Sequence, residues 1–244
     1  MFKIAFFFLL AVTTSLRADL TLIQKVDAAG TTGEMTIKFK GDKVRIDPAP
    51  ELSMITDSKT GDTVTLMHGE KKAMRISGDK MKAAAEMVKK FTAATPADRK
   101  AKLTPLGRKE TVNGMSTDVF TADTSVGKAT YYIAMNYPDG PAIIQEMKAA
   151  QPSALANSGT NIPDFRDLPG VPVKIEMDTA RGHVVMTLTS AKRDAIPNSV
   201  FDVPANYADM KMPDLFGGKK IPENPAGSGV PGSPSTVPVP SVTP

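Results

Sequence analysis

The segment MTIKFKGDKVRID (residues 35–47) decides the fold. Apolar residues occupy every second position from Met35 to the turn at Gly41-Asp42, and again at Val44 and Ile46. A two-residue period predicts strands with one apolar face, and a Gly-containing turn between two such runs predicts a β-hairpin. The domain is therefore built from antiparallel strands.

The same pattern extends outward in both directions. Asn113-Gly114 is the strongest hairpin signal in the chain, because both central residues of a tight hairpin turn need positive φ angles. The other predicted strands are Leu20–Val26, Leu52–Asp57, Thr63–Leu66, Ala73–Ser77, Leu106–Val112, Met115–Ala122, Val126–Ala134, Val171–Asp178, His183–Ser190 and Asn198–Val203.

Helical spacing interrupts the strands. Met81, Val88 and Phe91 mark the apolar face of a helix that Asp79 caps. Thr95-Pro96 indicates a second helix start, and Pro141–Ala150 is a further short helix.

An antiparallel sheet with an amphipathic helix must bury one sheet face. We therefore predict a mainly β (α+β) domain, a curved, unclosed antiparallel barrel with the Asp79–Phe91 helix as a lid across its concave face. Periodicity is equally compatible with a small sandwich.

Both ends of the chain differ from this domain. We expect residues 1–18 to form a cleavable signal peptide, because they contain Lys3, an apolar run from Ile4 to Val12 and the small Ala18 before the cleavage site. The apolar run is too short to span a membrane, which argues against a membrane anchor. Residues 19–216 form the β domain. Residues 217–244, rich in Pro, Gly and Ser, are predicted to be a disordered tail. The protein is thus expected to be exported, periplasmic or extracellular, with no transmembrane segment in the mature chain.

Composition removes several classes of function. The chain has no Cys, so disulfides and thiolate metal sites are excluded. The net charge is only +4, and the basic residues are scattered, so no nucleic acid partner is expected.

Residues that could support catalysis or bind a metal are sparse. The two histidines, His68 and His183, lie in separate hairpins without ligand-spaced partners. No Ser stands in a nucleophile-elbow motif, and Asp47, Asp57 and Asp62 fall where Asp commonly ends strands and forms turns. We expect no enzyme, no cofactor and no metal site.

Methionine is unusually frequent, with 14 residues in the chain. Methionine fills irregular apolar surfaces, so these residues either form an ordinary core or line a plastic pocket for an apolar ligand. A thioether copper site has little support, because only Met210 and Met212 are close in sequence. The residues predicted to line a ligand cavity and its lid are Met35, Ile37, Phe39, Val44, Ile46, Val64, Leu66, Met74, Ile76, Met81, Val88 and Phe91.

Four segments carry a family resemblance: KGDKVRID (40–47), MITDSKTGDTVTLMHGEKKAMRIS (54–77), GVPVKIEM (170–177) and IPNSVFDVPANY (196–207). Together they resemble a family of exported bacterial proteins of unknown function, which is similar in turn to the lipoprotein carrier LolA and receptor LolB. The resemblance implies an unclosed barrel whose helix-covered apolar cavity takes acyl chains.

Three functions remain open. The first is an envelope protein that binds a lipid or a lipoprotein acyl chain, and the second is an envelope structural or protein-interaction domain with a filled interior. The third, a hydrolase, lacks any converging polar residues in the sequence. The carrier role rests on a fold-level analogy, because the mature chain starts with a strand where the carriers start with a helix.

Overall fold

The hairpin at residues 35–47 lies within one large sheet. The structure is a computed structural model that describes residues 18–91, 102–124, 127–150, 163, 167–180 and 182–210, with the side chains of Ala85, Met87–Phe91 and Ala150 left out. These residues belong to one compact unit. All of the predicted signal peptide except Ala18, the helix start at Thr95-Pro96 and the predicted tail lie outside them.

Twelve strands and two α-helices form the described part of the chain. The strands are β1 (Leu20–Ala28), β2 (Thr31–Lys40), β3 (Lys43–Ala49), β4 (Leu52–Asp57), β5 (Thr63–Met67), β6 (Lys72–Ile76), β7 (Thr104–Val112), β8 (Met115–Thr124), β9 (Gly127–Ala134), β10 (Val171–Thr179), β11 (Gly182–Arg193) and β12 (Ala208–Met210). The helices are α1 (Gly78–Phe91) and α2 (Gly140–Ala150).

The sheet consists of two meanders, β1–β6 and β7–β11, which are joined where β1 pairs with β11. The strand order is β12-β6-β5-β4-β3-β2-β1-β11-β10-β9-β8-β7. All neighbours pair antiparallel except the short β12, which runs parallel to β6. Within the described ranges, β7 and β12 pair on one side only, so the sheet does not close. The predicted mainly β, unclosed antiparallel architecture is confirmed.

Strand register divides the side chains of β1–β6 between two faces. Leu22 pairs with Ile37, Ile37 with Ile46, and Ile46 with Met54, so these side chains share what we call the inner face. Residues one position away point to the opposite, outer face, which carries Arg45 and many other charged side chains.

Helix α2 packs on the inner face. Its Ile143, Ile144 and Met147 are buried in the same core cluster as Leu20 and Phe39. Burial of these three helix side chains contributes about 5–9 kcal/mol as an upper estimate. The described side chains of α1 are exposed or half-buried. Among the described side chains, those of α2 contribute to the core. The helix predicted over Asp79–Phe91 forms as α1, and the side chains of Met87–Phe91 on it lie outside the description, so its role as a lid stays a prediction.

A segment after β11, residues 194–207, crosses the outer face, and we call it the strap. Ile196 and Phe201 of the strap are buried against Ile55, Leu66 and Ala73. The predicted final strand at residues 198–203 was wrong, because Asn198–Phe201 forms a 3-10 turn. In that turn the Asp202 N–H bonds locally to Ser199 O, at 3.2 Å, and Phe201 inserts into the outer cluster.

Among the described residues, no helix combines the length and apolar composition needed to cross a membrane.

Candidate functional site

An apolar cavity of about 400 Å³ lies beside α2 on the inner face. Leu20, Met115, Ile143 and Ala191 provide its apolar walls, and Leu20 and Ile143 are almost fully buried. The remaining lining residues are Tyr137, Pro138, Asp139 and Arg193. Ligand pockets for small molecules typically measure about 300–1,000 Å³, with mostly apolar walls and a few polar groups, so this cavity falls at the lower end of that range.

Besides α2, three strands that are not all consecutive in the chain contribute to the cavity wall. Leu20 of β1 pairs directly with Arg193 of β11, and Ala191 lies two residues before Arg193 on the same strand. Met115 begins β8 and reaches the same place because the β7–β8 turn bends toward β11, where the Asn113 side-chain amide donates to Leu188 O at 3.1 Å. Asn113 therefore serves both as the turn residue, at φ 48°, and as a tether.

Arg193 joins the wall of this cavity to α2. Its guanidinium donates to Asp139 and, at 2.7 Å, to Oε1 of Glu146 on α2. Burial acts to lower the pKa of Arg193, but hydrogen bonds to Glu146 and Asp139 outweigh burial, so the pKa lies above its ordinary value. The Nη2 atom is buried without a hydrogen-bond partner in the described structure. This ion pair fixes the position of α2 relative to β11.

A second cavity, of about 320 Å³, borders the same helix. Phe39, Gly41 and the α2 residues Gln145, Glu146 and Ala149 contribute to its lining. Glu146 lines this cavity and its partner Arg193 lines the first one, so their ion pair lies at the boundary between the two cavities. Movement of α2 would therefore change both cavities together.

The register assigns most of the sequence-predicted lining residues to the inner face. Ile37 pairs with Ile46, and Phe39 pairs with Val44. The same alternation along β2 and across β4–β6 puts Met35, Met74 and Ile76 on this face too.

Two of the predicted lining residues lie elsewhere. Val64 and Leu66 pair with Ile55 and Ser53, whose side chains point to the outer face, and there the strap covers them. Met81 is half-buried near the start of α1, and the side chains of Val88 and Phe91 lie outside the description. The structure therefore does not bring the twelve predicted residues into one lining.

The inner face includes both buried and exposed apolar side chains. Phe39 and Val44 are each 7% exposed, whereas Met54 on β4 is 38% exposed. Ile37 and Ile46, between them, are half-buried. The cavities beside α2 thus continue into an apolar sheet surface that is partly open to solvent among the described residues.

A polar network beneath the strap was not foreseen from the sequence. Ser53 Oγ lies 2.7 Å from His68 Nε2, 2.5 Å from Asp47 Oδ1 and 2.9 Å from Arg45 Nη2. The other ring nitrogen of His68 lies 2.6 Å from the hydroxyl of Tyr207. A Ser–His contact resembles a nucleophile–base pair, but Ser53 is only 1% exposed and its Oγ is also held by Asp47 and Arg45. We interpret the network as a latch for the strap.

Charge in this network favours the ionised form of Asp47. Burial acts to raise the Asp47 pKa, but hydrogen bonds from Ser53, Arg45 and Lys38 together lower it below the ordinary value. Arg45 also donates to Val200 O of the strap at 2.8 Å. The only signal in the sequence for this site was the alternation of charged residues along β3.

The other polar candidates occupy turns. Asp57 accepts the Lys59 N–H at 2.9 Å, and Asp62 accepts the Gly78 N–H at 2.8 Å. His183 Nδ1 lies 2.8 Å from Asp178 Oδ1 on the neighbouring strand. Among the described residues, no three His, Asp or Glu side chains converge on a metal-sized space.

Together, the unclosed sheet, the helix packed on its inner face and the adjoining cavities define a half-barrel domain with an apolar interior. The chain belongs to the family described as "Domain of unknown function (DUF4412)", whose model matches residues 20–207. This confirms the resemblance to a family of unknown function. No curated protein matches the sequence.

Several solved structures are similar in fold. PNGF-II has a TM-score of 0.41 at 10% identity over 79% of this chain, which spans only 31% of that protein. MucB in complex with MucA(peri) has a TM-score of 0.34 at 12% identity, covering 80% of this chain and 57% of MucB. The Mycobacterium tuberculosis lipoprotein LppX has a TM-score of 0.33 at 11% identity, and the match covers 72% of this chain and 88% of LppX.

Proposed function

We propose that this protein is an exported, non-catalytic binding protein of the cell envelope that holds a lipid or acyl-type apolar ligand between the inner face and α2. The observation that carries the proposal is the cavity of about 400 Å³ walled by Leu20, Met115, Ile143 and Ala191. Its continuation toward the exposed Met54 provides an apolar path along which a chain-like ligand can extend.

The energetics follow from the burial of apolar surface. Each 100 Å² of apolar surface removed from water stabilises a complex by about 2.5 kcal/mol before the costs of binding. Half-buried side chains such as Ile37 and Ile46 already form the sheet surface, so a ligand would cover them without unfolding a strand. Affinity therefore depends on how much of the inner face the ligand covers.

Helix α2 is the gate in this proposal. Its apolar residues contact the core, and the Glu146–Arg193 pair holds it beside both cavities. Such partly exposed ion pairs contribute about 0–1 kcal/mol, so the pair positions the helix, whereas exposure of the buried Ile143, Ile144 and Met147 accounts for most of the cost of opening. The sequence assigned the gate to α1, and that assignment stays a prediction, since the side chains of Val88 and Phe91 lie outside the description.

A second candidate is an envelope structural or protein-interaction domain without a ligand. Tight packing favours it, because the core residues Ile133 and Val173 are completely buried. The two cavities beside α2 in the described part of the chain are modest in volume. The two functions differ in whether the cavities hold a molecule when the protein is isolated.

Native mass spectrometry with lipid extraction separates these functions. The full chain would be purified gently from an exporting host, and uptake of an apolar fluorescent probe would be measured in parallel. Ala191→Phe fills the first cavity, and Ala205→Phe, at an exposed position of the strap, is the matched control. A hydrophobic adduct lost on denaturation, with probe uptake reduced only by Ala191→Phe, supports the ligand function.

Other outcomes contradict it. A clean protein mass with no probe uptake by the wild-type chain leaves the interaction domain as the better account. Equal uptake by the wild-type chain and by a folded Ala191→Phe variant shows that this cavity is not the binding site.

A further inference from the structure

The first cavity beside α2 has its polar groups in one place. Tyr137, Asp139 and Arg193 contribute them, whereas the rest of the lining consists of apolar side chains and Pro138. The three residues lie close together, because Tyr137 and Asp139 are two positions apart and Arg193 donates a hydrogen bond to Asp139. These groups therefore decide which chemical end a chain-like ligand can have in this cavity.

The guanidinium of Arg193 is already committed to groups of the protein. Its Nε donates to Asp139, and its Nη1 donates to Glu146 Oε1 at 2.7 Å and to Ala18 O at 3.2 Å. Its third nitrogen, Nη2, has no hydrogen-bond partner in the described structure, but that atom is buried. A carboxylate pairs with an arginine through accessible N–H groups. A carboxylate on the ligand would therefore have to displace Asp139 or Glu146.

The charged groups that line the two cavities give this region a negative balance. One guanidinium, with its side chain 25% exposed, faces the two carboxylates of Asp139 and Glu146. The remaining carboxylate among the lining residues, Asp19, is neutralised by Lys40, whose ammonium nitrogen lies 2.7 Å away. Salt and water screen partly buried charges less than exposed ones. A second anion placed beside Asp139 would therefore be repelled.

The phenol of Tyr137 adds an uncharged hydrogen-bonding group. Burial raises the Tyr137 pKa above its ordinary value, so the hydroxyl is protonated near neutral pH. A protonated phenol can donate a hydrogen bond to a carbonyl oxygen. An ester group offers such an oxygen without a charge, so it can accept from the phenol and avoid the repulsion by the two carboxylates.

We propose that the first cavity takes fatty-acyl esters and excludes free fatty acids. This inference rests on the proposed function and names the ligand class for the same site. The apolar walls hold the acyl chain, and the ester group lies beside Tyr137, Asp139 and Arg193. An ester and a free acid can carry the same acyl chain, so the charge at this place is what separates them.

The test compares two ligands that differ in one group. Methyl dodecanoate and sodium dodecanoate, each below its micelle-forming concentration, compete with the uncharged probe N-phenyl-1-naphthylamine for the full chain. At about pH 8 the free acid is ionised, and we expect the ester to bind at least about tenfold more tightly, because like charges brought together weaken a complex. Added salt should strengthen dodecanoate binding relative to ester binding, since it screens the repulsion.

A double variant separates the two carboxylates from the general cost of moving an anion out of water. Asp139→Asn/Glu146→Gln leaves the Arg193 cation without an ionic partner, so dodecanoate should bind this variant at least about tenfold more tightly than the wild type. Asn suits position 139, where φ is 55°. Glu70→Gln/Asp209→Asn is the matched control, because it removes two carboxylates paired with exposed cations of β6, and it should leave binding unchanged.

The outcomes distinguish this inference from the proposed function. If the wild type binds dodecanoate as tightly as the ester, or if the folded double variant gains no affinity for dodecanoate, the ligand class is wrong and the proposed function stands. If neither ligand binds, the proposed function fails and this inference fails with it. Melting temperatures verify that the double variant folds. If it does not fold, the salt dependence of the wild type decides, because an unchanged ratio of the two affinities contradicts the repulsion. Where the ester class holds, the mass of the native adduct tells a lipid ester from an acylated peptide.

Discussion

Replacement of Leu66 by Ala tests the assignment of the two sheet faces. Leu66 is 0% exposed and packs with Ile55, Ala73 and the strap residue Phe201. The substitution removes three carbon atoms, which costs about 2.4 kcal/mol in transfer free energy at about 0.8 kcal/mol per group. The residual cavity adds to this cost, and measured Leu→Ala changes in cores reach about 2–5 kcal/mol. We expect a loss of about 3–4 kcal/mol.

Urea unfolding of the full chain, followed by circular dichroism, measures this loss. For a domain of this size, about 2–4 °C of melting temperature is lost per kcal/mol, so the melting temperature should fall by about 6–16 °C. Met54→Ala, on the neighbouring strand and 38% exposed, is the control and should cost about 1 kcal/mol. Where it is still folded, Leu66→Ala should leave apolar-probe uptake unchanged, since Leu66 faces the strap.

Two results would refute this reasoning. A loss below about 1 kcal/mol for Leu66→Ala would mean that the strap does not cover the outer face as described. Reduced probe uptake by the folded variant would mean that Leu66 lines the ligand site, as the sequence pattern predicted, and that the register-based division of faces is wrong.

Two further predictions concern the outer face and a close backbone approach. Hydrogen bonds lower the Asp47 pKa in the folded state, so the carboxylate stabilises the fold fully above its unfolded pKa of 3.8 and loses this contribution as pH falls through the lower folded pKa. The free energies of unfolding of Asp47→Asn and the wild type should therefore converge at low pH. A difference that stays constant across this pH range would contradict the prediction. Gly127→Ala should lower the free energy of unfolding by about 2–3 kcal/mol, because a Cβ would lie 1.9 Å from Asp178 O and φ is 137°. Gly69→Ala is the control, because a Cβ at Gly69 would meet no atom within 4 Å. Equal melting temperatures for the two variants would disprove the close approach.

The hairpins could be predicted because their signals are local. The alternation from Met35 to Ile46 and the turns at Gly41 and Asn113-Gly114 use only neighbouring residues, and the structure forms both hairpins. The strand predicted at residues 198–203 failed, because an apolar pattern this short is also satisfied by a 3-10 turn that inserts Phe201 into a cluster.

The candidate site could be predicted only in part. The sequence grouped Val64 and Leu66 with Ile37 and Ile46, because all of them occupy alternating apolar positions. Periodicity shows that a strand has an apolar side, but it does not show which side of the sheet that is. Here the β1–β11 pairing and the strap give both sides of the sheet an apolar cluster.

The sequence by itself determined that this is a strand-rich domain with amphipathic helices, because the periods of two and of about 3.6 residues are written in adjacent positions. Tertiary structure alone decided that α2 packs beside the cavities, that Arg193 meets Glu146, and that the strap residue Phe201 packs against Ile55 and Leu66. These are contacts between residues up to about 150 positions apart, and they depend on strand order and register, which no local pattern encodes.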